Sequence, residues 1–467
     1  MKKYTEQFQA IYRSKTVPEM LRNISWEMVA YLALLPLLLF TAAPLYQLIR
    51  DSIDPPQSTH FMMDTPSFSY SYTVNTISTI AAVVGILVIL LYIGKTRQLH
   101  WQWRDLVRRN VPMVFFAAFV VCMIVSTCLN GFTQAALSGD PYRNESLFTY
   151  ILYVLIYFFC GAVIFQPKCK CILMYGFMGV SLVIAASALV HAWMIPLPAY
   201  SQNAGLSAVF HQFNHYGYYL LFSILLSSAL FVTEKNPSRK ALCLFVFLIN
   251  NVVLVVNDTF GCYLAVFIAL LFQCMVFWIK DKRFSWLSLL LLGCFLGVSL
   301  VMSIWYDTVF HNVFGFFQDI SNVAENPDDS GSAGTGRWTL WVHTLQYISE
   351  KPLFGFGVEG IHDRLDLETN HCNNRPHNEY LQYAAFFGIP AAILYVCGLA
   401  SVYIHSWKYR AKLDGYSIAA LIAAFGYLIS ACFGNTMYYT TPWLFLFLGF
   451  GCSITCLAPE QQKQESP

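Results

Sequence analysis

The chain has 467 residues, of which 57% are hydrophobic and only 12% charged, against about 25% charged in soluble proteins. Apolar runs of about 18 residues or more recur along it, each long enough to cross a bilayer as a helix. A soluble globular protein is therefore excluded, and the net charge of +2 carries no signature of a nucleic-acid partner. The 14 cysteines fall almost entirely in or beside apolar spans, where a thiol behaves as a small hydrophobe. Only Cys372 lies in a large polar loop, so no disulfide framework is read.

In chain order, a basic segment (Lys2, Lys3, Arg13, Lys15, Arg22) leads to Trp26 without a small-residue cleavage site. That pattern reads as a retained first span and not a removed signal. Spans are expected at 28–49, 76–94, 112–130, 147–166, 172–196, 215–232, 241–256, 261–279, 286–305, 380–404, 415–434 and 442–458. The fold class is thus all-α: a polytopic membrane protein of about 12 transmembrane helices with one large exoplasmic loop between helices 9 and 10. The expected division is 1–305 for helices 1–9, 306–379 for the loop, and 380–467 for helices 10–12 and a tail.

Charge asymmetry gives the orientation. The N-terminus, the segments after the even-numbered spans and the tail hold 22 of the 28 Lys and Arg residues; only Arg50, Arg143, Arg337, Lys351, Arg364 and Arg375 fall on the other side. Both termini are expected in the cytoplasm and the large loop outside.

Three short outer segments carry compact polar groups. PYRNESLFTY brings Arg143, Asn144 and Glu145 to the start of span 4, and AVFHQFNHYGYYL brings His211, Asn214 and His215 to the start of span 6. Asn257-Asp258-Thr259 closes span 7. No internal repeat or low-complexity segment is present.

The large loop holds the longest polar excursion of the chain. Its Asn326–Gly336 stretch is turn-rich, and its acidic pair Asp328-Asp329 reads as a solvated loop and not a metal site. Trp338, Trp341, Val342, Leu345 and Ile348 then recur at helical spacing, which predicts an amphipathic helix at the headgroup level. Arg337 opens that helix, where the dipole disfavours a cation by about 0.3–1 kcal/mol; an anionic ligand or a carboxylate such as Asp319 would each account for it. The glycines of KPLFGFGVEG fit phosphate binding or any tight turn. Asn378 is a plausible N-cap, leaving His377 beside a helix end. There an imidazole can exchange a proton near neutral pH or simply sit at the interface without a task.

Together these segments resemble the O-antigen ligase and polymerase superfamily of bacterial membrane glycosyltransferases. The family's motif of His, then Asn, Ser or Gln, nine residues and Gly stands here as His377-Asn378 and Gly388, with Ala391 where Gly, Thr or Tyr is usual. The block from Gly336-Arg337-Trp338 to Pro352-Leu353-Phe354-Gly355-Phe356-Gly357 is also family-like, as is Phe210–Leu220 with Gln212 in place of an Asn. The family's Arg before Phe210 and its Ser-Arg pair near Asp258-Thr259-Phe260 are not matched.

The resemblance implies a multi-pass protein of the bacterial cytoplasmic membrane that moves a glycan from an undecaprenyl diphosphate carrier to a glycan or lipid acceptor. His377 would be the base, Asn378 would orient it or cap the helix, and Arg337, with Arg143 or Arg375, would hold the leaving diphosphate. Asn214 and His215 would line the substrate site. Neither cofactor nor metal is required if arginines carry that charge. The leading reading is ligase-like, with a polysaccharide polymerase of the same donor chemistry as the alternative; a lipid-linked glycan flippase or transporter fits less well, since no Lys or Arg lies mid-membrane and no repeat halves are seen.

Overall fold

The computed structural model describes residues 2–53, 83–96, 110–139, 145–164, 166–195, 206–210, 212–280, 282–306, 308–325, 331, 333–369 and 375–456. Among them the chain is all-α, with nineteen helices and no strand. Helices α1 (Lys2–Tyr12) and α2 (Val17–Asn23) precede the first long apolar helix, α3 (Trp26–Ile53). There follow α4 (Val83–Thr96), α5 (Val111–Asn130), the short α6 (Gln134–Ser138), α7 (Leu147–Phe158) and α8 (Pro167–Trp193). Next come α9 (Phe213–Thr233), α10 (Pro237–Asn257), α11 (Phe260–Lys280) and α12 (Lys282–Met302). The expected large loop contains α13 (Thr308–Glu325), α14 (Arg337–Glu350) and α15 (His362–Glu368). The chain then forms α16 (Glu379–Phe387), α17 (Ile389–Lys408), α18 (Gly415–Ser430) and α19 (Thr441–Cys456).

Nine of these helices are long and apolar enough to cross a membrane, and Val83–Thr96, Leu147–Val163 and Thr441–Ser453 are shorter apolar helices. Helix starts follow local chemistry. Asn110, Asn236 and Asp414 cap α5, α10 and α18 with their side chains, and α8 and α10 open on Pro167 and Pro237, whose missing N–H costs nothing in a first turn. Helix α9 is 94% buried over its hydrophobic window, as a helix at the centre of a bundle must be. It packs against α10, α11 and α18.

Side-chain contacts sort the chain into two ends. At one, Lys170 meets Asp414 at 3.0 Å and the hydroxyls of Ser417 and Ser453, while Lys280 donates to the Leu413 carbonyl. At the other, Lys351 donates to Asn130, Asn312 to Asp258, and Arg375 to Glu145. The same division separates the basic-rich from the basic-poor segments.

One expectation changes. The tenth span, expected unbroken over 380–404, is divided by Gly388, whose φ of +92° ends α16 and lets α17 start afresh. Helix α14 packs on α16 and buries Leu340, Thr344, Tyr347 and Ile348, while Leu345 of the expected apolar face is 54% exposed. The acidic pair Asp328-Asp329 and Cys372 lie outside the described residues.

Candidate active site

Helix α16 is the structural centre of the site. Asn378 caps it, its Oδ1 accepting from the amides of Tyr380 and Leu381 at 3.1 Å each. Of the two roles open to Asn378, capping is thus directly observed. His377 stands immediately before the cap, half-buried, with the backbone in the left-handed region at φ +49°. That conformation is uncommon for a residue with a side chain. It is held by the Asn435 side chain, which accepts from the His377 amide at 2.8 Å.

The far end of α16 explains the glycine series. The amides of Phe356 and Gly357 donate to the carbonyls of Ala385 and Phe386 at 2.9 and 2.8 Å, and Ile389 donates back to Pro352 at 2.8 Å. Ser126 of α5 donates to the Phe354 and Phe386 carbonyls at 2.5 and 3.0 Å, and Asn130 donates to Gly355 at 3.1 Å. A Cβ on Gly355 would lie 2.6 Å from the Ala385 and Phe386 oxygens, and one on Gly388 would collide with the Leu353 carbonyl. KPLFGFG is therefore a backbone dock that satisfies the last carbonyls of α16. Its amides are spent on α16, which answers the choice between phosphate binding and a tight turn for Phe356 and Gly357.

Arg375, two residues before His377, is fully buried. Its Nη1 donates to Glu145 at 2.6 Å and to the Thr436 carbonyl at 3.0 Å. Its Nε donates to Glu359 at 3.2 Å, and Nη2 pairs with the same carboxylate. Tyr153 completes the shell of Glu145 at 2.5 Å, and Gln382 links Tyr150 to Thr436. The sequence reading offered Arg375 as a diphosphate contact; its guanidinium is instead engaged by two carboxylates and has no exposed surface. A buried charge needs such a shell because desolvation would otherwise cost several kcal/mol.

A second carboxylate, Glu379, is also fully buried and accepts from the Tyr395 and Tyr427 hydroxyls at 2.5 and 2.9 Å. Burial pushes its carboxyl up to about 7, despite those two donors.

Arg337 is different. It is half-buried at the start of α14 and donates to the Gly334 carbonyl at 3.4 Å. Among the described residues no carboxylate lies within ion-pair reach of it: Asp319, the partner considered from sequence, accepts from the Gly334 amide at 2.8 Å instead. Arg364, by contrast, forks onto Glu350 at 2.7 and 2.9 Å.

Tyr218 of α9 reaches the segment that holds His377: its hydroxyl abuts Gly434, where no Cβ would fit. Gly434 adjoins Asn435, which holds His377. On the same helix, His215 is buried with its Nδ1 on the Tyr439 hydroxyl, and Asn214 is half-buried. The structure therefore brings His377, Asn378, Arg337, Asn214 and His215 to one end of the bundle. Arg143 lies outside the described residues.

Sequence reasoning passed over Glu359, Glu379, Asn435 and Thr436. Asn435 and Thr436 belong to Gly434–Thr441, a short polar run between two apolar spans. That position is a usable signal of the kind that marked the other outer segments.

Residues 243–396 match the model of a family described as O-antigen ligase. The matched stretch runs from α10 into α17 and includes Arg337, His377, Asn378 and Gly388. No curated protein matches the chain.

Proposed function

We propose, from the match of residues 243–396 to the O-antigen ligase family, that the chain is a member of the O-antigen ligase and polymerase superfamily and transfers a glycan from an undecaprenyl diphosphate-linked donor to an acceptor hydroxyl at the outer face of the cytoplasmic membrane. His377 removes the acceptor proton as the hydroxyl attacks the anomeric carbon. The bond from that carbon to the diphosphate oxygen breaks with inversion, and Arg337 holds the charge left on the diphosphate by charge-assisted hydrogen bonds. Arg143 is a second candidate for that charge. Arg375, enclosed by Glu145 and Glu359, acts as a positioning residue that fixes the segment leading to His377.

The observation that supports this reading is a histidine held by Asn435 just before a capped helix, within the same matched stretch as an arginine that has no carboxylate partner among the described residues. The positive end of a capped helix lies beside the histidine and favours an anion there. A polymerase would use the same donor chemistry, with the acceptor being another repeat unit.

The test is purified full-length protein in nanodiscs with a lipid diphosphate-linked oligosaccharide and candidate acceptors, read as glycan attached to acceptor. The reading expects product with the lipid diphosphate donor, none with a nucleotide sugar, and turnover that persists in excess chelator. Transport of the donor without transfer would overturn it.

A further inference from the structure

Helix α13 (TVFHNVFGFFQDISNVAE) has three faces instead of the two of an ordinary surface helix. Asn312, Phe316 and Asp319 share the face toward the protein. Asn312 donates to Asp258 at 2.7 Å, Phe316 packs on Phe260 and Phe433, and Asp319 accepts from Gly334. His311, Gln318, Asn322 and Glu325 form an exposed polar face. Phe317 and Ile320 define an exposed apolar face, at 64% and 51% exposure, with Phe314 at its edge at 72%. At 3.6 residues per turn these three faces point about 120° apart.

We infer that α13 lies on the membrane surface, its apolar face set into the acyl–headgroup boundary of the same leaflet that the outer ends of the spanning helices reach. Two observations select lipid as the occupant. Helix α13 begins three residues after Trp305, and the end of the preceding span exposes Leu300, Val301, Ile304 and Trp305 by 62%, 52%, 73% and 70%. The apolar face lies a third of a turn from both the protein face and the polar face, which is how a helix meets protein, lipid and water at once. An exposed apolar stripe of this size on a surface helix marks an interaction surface, and Trp305 is the residue type enriched where acyl chains meet headgroups.

The sequence predicts a surface position for α14, which buries one face on α16 and leaves Leu345 54% exposed; α13 presents a further open apolar face. A consequence follows that rests on the proposed function. Asp319 ties α13 to the Gly334 turn, three residues before Arg337, so the lipid-seated helix sets the guanidinium at headgroup depth, level with a lipid diphosphate. The lipid contact itself stands whether or not Arg337 binds a diphosphate.

The experiment uses the full-length chain with benzoylphenylalanine placed singly at 317, 320, 318, 316 or 300, reconstituted in vesicles of phosphatidylethanolamine and phosphatidylglycerol and irradiated. Lipid adducts are expected at 317 and 320 as at 300, with loss of lipid adducts at 318 and internal crosslinks at 316. Chain-to-chain crosslinks at 317 and 320 would assign the face to a second copy and overturn the inference. So would the lack of lipid adducts at both positions while 300 yields them. Transferase activity does not enter the readout, so failure here is distinct from failure of the proposed reaction.

Discussion

Arg375 and Glu145 form an ion pair of 2.6 Å across 230 residues of sequence, with both side chains fully buried. The pair ties the segment before His377 to the start of α7, and Glu359 adds the glycine-rich dock to the same guanidinium. Three separate stretches of chain thus converge on one cation two residues before the candidate base.

Removing that cation leaves two carboxylates buried without compensation. Arg375→Met is expected to destabilise the protein by about 3–5 kcal/mol, the usual result of stripping one partner from a buried pair. Arg375→Lys should recover little, because an ammonium cannot fork between two carboxylates. Thermal unfolding in detergent checks this; parental stability in both variants would refute the role.

Arg337→Ala should leave the fold intact, since the side chain is half-buried and its one side-chain hydrogen bond among the described residues is a long contact to Gly334. It should lower use of the lipid diphosphate donor, and Arg337→Lys should restore little if the contact is bidentate. Equal donor titration curves for both variants and the parent would remove Arg337 from the site.

The left-handed backbone of His377 suggests a sharper control than alanine. His377→Asn keeps a residue tolerant of that conformation but cannot act as a base near neutral pH. Transfer is expected to fall about 10²–10⁴-fold in both His377→Asn and His377→Ala, with the asparagine variant closer to parental stability. Parental turnover in His377→Asn would end the general-base assignment.

Gly388→Ala should be destabilising by about 1 kcal/mol or more, because φ is +92° and the new methyl meets the Leu353 carbonyl. Gly315, exposed to open space on α13, is the contrasting site: Gly315→Ala should be neutral or stabilising, as expected for a helix interior. A comparison of the two melting temperatures decides the matter.

Glu379 gives a pH signature. Its carboxyl is held near 7 in the folded protein against an ordinary 4.5, so the native state binds the proton more tightly than the unfolded chain. That contribution is fully present below about 4.5 and is lost as pH rises through about 7. Glu379→Gln, always neutral, should therefore gain stability relative to the parent between about pH 5 and pH 8. A stability difference that does not vary across this window would show that Glu379 titrates normally.

The sequence by itself determined the membrane class, because span length and apolarity are properties of contiguous residues. It determined the cap at Asn378 and the His377–Gly388 motif spacing for the same reason: an N-cap and its amides lie within three residues of one another. It also gave the division of basic residues that the contacts at the two ends of the bundle follow. Only the tertiary structure decided that Gly388 breaks the tenth span, since the cause is a backbone approach from Leu353. It alone turned Arg375 inward, because the partners that make a buried guanidinium tolerable, Glu145 and Thr436, are distant in the chain. The face that α14 buries on α16 has the same origin. Periodicity shows that a helix has an apolar face, but which face is covered by protein and which meets lipid depends on the helices packed beside it.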